Sequence, residues 1–139
     1  MISANLSLHL RSHVKLNSLG VAFAGGTGFK LESDPDTVLA PDAAVILSKR
    51  VGRLSSEYVA VPPELIVEVI SASEPKSQIE WRSEQWLRFG VESVWLVKLG
   101  SRTVEVVKAN VPKKVFNLTD RLTDAVVPRF SVSLSDIFN

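Results

Sequence analysis

The chain has 139 residues, 45% of them hydrophobic, which suits one compact domain with a real core and argues against a second. Sixteen Lys plus Arg stand against fifteen Asp plus Glu, so a net charge of +1 excludes a whole-molecule field built for a polyanion and leaves only a local basic patch for that purpose. The absence of cysteine removes disulfides, thiolate metal sites and cysteine nucleophiles, no apolar run reaches the roughly eighteen residues of a membrane span, and the first ten residues lack a signal-peptide layout, so a cytoplasmic protein is expected.

Ile2, Leu6, Leu10 and Val14 recur every four residues before the stop at Leu19-Gly20, which predicts an amphipathic helix over Met1 to Asn17. Val21 to Ala24 and Phe29 to Glu32 flank Gly25-Gly26-Thr27-Gly28 and read as a hairpin. The run Ala43 to Leu47, entered through Ala40-Pro41-Asp42, reads as a short strand. Ser48 to Pro63 reads as a long loop carrying Lys49, Arg50 and Arg53, and long loops in compact domains are often functional.

Leu65 to Ile70 is the most informative segment, because Glu68 interrupts an otherwise apolar strand and shares its face with Ile66 and Ile70. An ionised carboxylate there needs a cation, a metal or a catalytic task, or else its pKa rises. The plain alternative is an edge strand whose glutamate leans into water. Ser77-Gln78-Ile79-Glu80 reads as a capping box opening a helix whose inner face is Ile79, Ser83, Trp86 and Leu87 and which Gly90 ends. Ser93 to Leu99 and Arg102 to Val107 form a second hairpin, and the strand–helix–strand order predicts one parallel pairing. Val126 to Phe138 is apolar without a clear period.

Asp42 at one strand entrance and Glu68 inside another, 26 residues on, are the hard-oxygen donors that Mg²⁺ takes when it keeps several waters, and the Val69 carbonyl could add a third ligand. Thr27 to Lys30, Ala40-Pro41-Asp42-Ala43-Ala44, Glu68-Val69-Ile70-Ser71-Ala72-Ser73, Gly90-Val91 and Val94-Trp95-Leu96-Val97, in this order and spacing, resemble the bacterial restriction endonuclease family called Uma-two, of the PD-(D/E)xK nuclease superfamily. The likeness runs from about Leu6 to Phe138 and includes Pro128 to Val132.

The resemblance implies an α/β, restriction-endonuclease-like fold in a single domain spanning 1–139, a mixed central sheet flanked by helices, with Asp42 and Glu68 as ligands of Mg²⁺ or Mn²⁺. It implies hydrolysis of DNA phosphodiester bonds. The family generally lacks the superfamily's lysine two residues beyond the glutamate, here Ile70, and carries one on the following helix, where this chain has Arg82. Arg82 lies about 60° around the helix from Ile79, on the border of the buried face and within reach of the sheet end. Arginine can offset phosphate charge but stays protonated and cannot act as a base.

Lys98 is a second departure, at a position that is often acidic, and the extra N-terminal strands of many members do not precede the helix, so one wall of the site is expected to be absent. Lys49, Arg50 and Arg53 are candidate contacts to the nucleic-acid backbone, and Lys30 is a candidate substitute for the lysine. The alternative on the same fold is a catalytically inactive protein that binds DNA or a protein partner, as a homodimer through an exposed hairpin strand. The remaining signals have plainer readings. His9 and His13 belong to a solvated helix face, the glycine run to a turn, and Trp86 and Trp95 to the core, with Trp81 exposed; Ser71 and Ser73 lack the Gly-x-Ser-x-Gly turn of a serine hydrolase.

Overall fold

Leu6, Leu10 and Val14 form the buried stripe of α1 (Ile2–Leu16), the helix that the four-residue spacing predicts. The computed structural model describes residues 2–25, 27–32, 37–48 and 61–138. After α1 come β1 (Gly20–Ala24), β2 (Phe29–Glu32), β3 (Thr37–Leu39), β4 (Ala43–Leu47) and β5 (Leu65–Ile70). Next are α2 (Lys76–Phe89), β6 (Ser93–Lys98), β7 (Thr103–Val107), β8 (Lys114–Phe116), β9 (Arg121–Leu122), β10 (Val132–Ser133) and α3 (Leu134–Phe138).

Six strands in the order β1-β4-β5-β6-β7-β8 make one mixed sheet, antiparallel at every junction except the parallel β5–β6 pair. That pair requires a crossover, and α2 supplies it. Strand alternation then divides the core. Leu65 and Val67 face α1 and the C-terminal segment, where Val127, Phe130, Leu134 and Ile137 are buried; Ile66 and Ile70 face α2 with Ile79 and Trp86. Glu68 belongs to the α2 face.

Two local expectations are corrected. β1 and β2 do not pair with each other: β1 pairs with β4 in the main sheet, while β2 pairs with β3 in a separate two-stranded sheet. β1 and β2 therefore belong to different sheets, and what a local turn pattern cannot reveal is the long-range partner of each strand. The capping box also fails, because Ser77 lies inside α2, whose N-cap is Pro75 with no side-chain cap. At the other end Gly90 adopts φ 116°, the left-handed turn expected of a terminating glycine, and its N–H donates to the Leu87 carbonyl.

Candidate active site

The chain enters β4 through Asp42, whose backbone N–H donates to the Val67 carbonyl at 2.9 Å. Its side chain turns back to the same strand: Oδ2 accepts the Val69 N–H at 2.7 Å. Asp42 thus holds β5 on either side of Glu68. The N–H and C=O of one strand residue point the same way, so the Val69 carbonyl also faces the Asp42 side, past the end of the β4 ladder.

Glu68 is 9% exposed and takes two hydrogen bonds from successive turns of α2, from Arg82 Nε at 3.1 Å and from the indole Nε1 of Trp86 at 3.2 Å. Both donors converge on Oε2. Arg82 also reaches back to the Glu74 carboxylate, so its guanidinium bridges two acids. Burial pushes the Glu68 carboxyl above its ordinary range; the Trp86 bond and the Arg82 charge oppose that rise, and the Asp42 charge adds to it. For Arg82 burial pulls the pKa down, but the hydrogen bond to Glu74 and the charge of Glu68 outweigh it and the value rises.

Asp42, Glu68, Val69 and Arg82 are thus brought together. Lys30 stands in the small β2–β3 sheet next to Phe29, whose ring meets Trp86 at 5.9 Å, and strand alternation puts the two side chains on opposite faces of that sheet. Lys49, Arg50 and Arg53 lie outside the described residues. His13 is not a free helix-face residue: its Nε2 donates to the Pro128 carbonyl at 2.8 Å, tying α1 to the C-terminal segment. Lys98 pairs with Glu105 at 2.9 Å, and Lys113 holds the other oxygen of Glu105 at 3.2 Å.

Sequence reasoning missed the Trp86 contact, although Arg82 and Trp86 stand four apart on one helix and so point the same way. It also missed Glu74, and Asp124, a buried carboxylate on the opposite face of the sheet held by Ser93 Oγ, Trp95 Nε1, Lys108 Nζ and the Val126 N–H. Four donors satisfy Asp124 completely, which marks it as structural.

A cleft of about 320 Å³ opens beyond the ends of β5 and β6, lined among others by Ser71, Glu74, Lys76, Lys98 and Ser101. It adjoins the Arg82 bridge through Glu74. A more apolar cleft of about 300 Å³ lies between α2 and β6–β7, and neither Asp42 nor Glu68 lines either cleft. Among the described residues no helix is long and apolar enough to cross a membrane.

A mixed sheet flanked by helices on both faces defines a nuclease-like α/β fold, and the comparison with solved structures agrees. The chain is similar to the crystal structure of "a putative nuclease belonging to DUF820 from Anabaena variabilis ATCC 29413", with a TM-score of 0.80 and 21% identity over 99% of this chain and 78% of that one. The profile of the Uma2 family, described as "Putative restriction endonuclease", matches residues 1–135, and the chain belongs to that family. No curated protein matches the sequence.

Proposed function

We propose that the protein is a divalent-metal-dependent endonuclease that hydrolyses DNA phosphodiester bonds at the Asp42–Glu68 site. The observation that carries this reading is how the two carboxylates are held. Oδ2 of Asp42 is engaged by the Val69 amide and Oε2 of Glu68 by α2, which leaves Oδ1 and Oε1 outside those bonds and available to a shared ligand. Among the described residues no group of three or more His, Cys, Asp or Glu could hold a metal ion, and the proposed donor set is smaller: two carboxylates and the Val69 carbonyl. That set fits Mg²⁺ or Mn²⁺, which complete their shell with water, better than a metal needing an all-protein cage. The Asp42 charge that pushes Glu68 upward is also what a cation between them would relieve.

Bound Mg²⁺ would lower the pKa of a water and polarise the scissile phosphate. The protein's own groups do the rest. Asp42 and Glu68 fix where the cation sits, and the short tether of Asp42 to β5 makes that position rigid. Arg82, permanently charged and with N–H groups beyond its two bridging contacts, offsets charge that builds on the phosphate oxygens. It cannot take a proton from the attacking water, so that proton must leave through solvent. Lys76 and Lys98 line the adjoining cleft and could contact the flanking backbone, with Lys49, Arg50, Arg53 and Lys30 as further candidates for phosphate contacts.

The bridge between Arg82 and two acids favours a second reading, since an arginine committed to Glu68 and Glu74 has less to give a phosphate. On that reading the protein keeps the fold and acts as a DNA-binding or homodimeric module of the cytoplasm. Nicking of supercoiled plasmid separates the two. Purified protein with Mg²⁺ or Mn²⁺ should nick, should lose this on Asp42→Ala and on Glu68→Ala, and should gain rate on Arg82→Lys. Cleavage that survives both alanine substitutions belongs to a contaminant, and no cleavage by any form supports the inactive module.

A further inference from the structure

We infer that Trp86 is a positioning residue: its indole N–H, acting with Arg82 Nε, pins Oε2 of Glu68 so that Oε1 is the ligand atom this glutamate presents beside Asp42. The inference rests on the reading of the pair as a cation site and names a residue which that reading does not require.

Three observations support it. Trp86 is fully buried, and a buried indole N–H needs an acceptor, which it finds in Glu68 Oε2 at 3.2 Å. Arg82 bonds the same oxygen from one helical turn earlier, so a carboxylate held by one long, flexible side chain gains a second donor on a rigid ring. The ring itself is locked from behind. Phe29 meets it edge-on at 5.9 Å with planes at 78°, and Phe23 meets Phe29 at 6.3 Å with planes at 89°. A carboxylate whose first oxygen is anchored by two converging donors cannot rotate freely, and its second oxygen keeps one direction. This is how hydrogen-bonding partners behind a metal ligand fix its orientation.

The test uses the full chain with Mn²⁺ and Mg²⁺ as probes. Trp86→Phe keeps the ring against Phe29 and removes only the donor. Isothermal titration should show Mn²⁺ binding weakened about tenfold, the low end for loss of such a partner, while Glu68→Gln abolishes it. A readout in the unaltered protein does not depend on how the variant folds: the indole N–H proton of Trp86, assigned through its contacts with Phe29, should shift on Mg²⁺ addition with the half-saturation of binding. That shift places the ion on the carboxylate that Trp86 bonds, and the loss of affinity in Trp86→Phe is what assigns the positioning role. If Trp86→Phe binds Mn²⁺ like the parent while Glu68→Gln fails to bind, the inference falls and the cation site stands. If the parent protein binds neither ion, both fall.

Discussion

Asp42 brackets Glu68: its amide bonds the Val67 carbonyl just before that glutamate and its carboxylate bonds the Val69 amide just after it. One aspartate therefore closes the end of β4 and brings negative charge to a second, buried acid. The Asp42 charge thereby adds to the cost of burying an ionised Glu68.

That cost predicts a gain of stability when the site is disarmed. Glu68 has a folded pKa above its ordinary value of 4.5, through burial first and the Asp42 charge as well, so the folded state holds the proton more tightly than the unfolded chain does. The associated stability is complete below 4.5 and is lost as pH rises through the raised value. Glu68→Gln should therefore be about 1 kcal/mol more stable than the parent at neutral pH, and the advantage should shrink on acidification. Urea unfolding at several pH values measures it; a variant less stable than the parent at pH 7 would contradict the raised pKa.

Arg82 offsets part of that penalty, and removing it should have the opposite effect. Arg82→Ala leaves Glu68 with the indole donor alone and frees Glu74, so at neutral pH it should destabilise by about 3 kcal/mol, the lower end for breaking a largely buried pair. Below 4.5, where Glu68 carries its proton, the loss should be smaller. Arg82→Lys keeps the charge but not the two-pronged bridge and should fall between the two. Thermal melts of the three forms at pH 4 and pH 7 decide this.

The contrast between these residues and the misread ones shows what the chain discloses by itself. A charge inside Leu65 to Ile70 stands out against its neighbours, so Glu68 is visible from periodicity, whereas Arg82 is singled out only by the family resemblance, periodicity adding that it borders the buried helix face. The parallel β5–β6 pair follows from the strand–helix–strand order, and the β6–β7 hairpin from its short connection. The partner of β1 does not, since Gly25 to Gly28 looks like a tight turn whether the next strand pairs back or crosses to another sheet. Asp124 was equally hidden. It stands in a loop with no periodicity around it, and its donors come from β6 and beyond β7 as well as from its own loop.

Asp124 supplies a control on the other face of the sheet. Its carboxyl is buried, which alone would raise its pKa, but the bonds from Ser93, Val126, Lys108 and Trp95 outweigh burial and lower it below the ordinary 3.8. Stability linked to it is therefore present above 3.8 and lost as pH falls through the lowered value. Asp124→Ala should cost about 3 to 4 kcal/mol by stranding buried donors, loosening the C-terminal segment from β6. Mn²⁺ affinity measured below the melting transition should stay within twofold of the parent. A large loss of affinity would mean that the two faces are coupled, against the separation of their cores.

Metal binding itself gives the most direct prediction, because a ligand that binds only the folded state must raise its melting temperature. At a Mg²⁺ concentration about one hundred times the dissociation constant the stabilisation is about 2.7 kcal/mol. For a chain of this length that is roughly 3 °C per kcal/mol, or about 8 °C in all. Glu68→Gln should melt higher than the parent without metal and show no rise with it, so the two curves should cross as Mg²⁺ is added. A structural cation elsewhere would lift both proteins in parallel, and nonspecific screening by the salt would be reproduced by NaCl at equal ionic strength. Only occupancy between Asp42 and Glu68 produces the crossing, because the charge that destabilises the empty fold is the same charge that holds the ion.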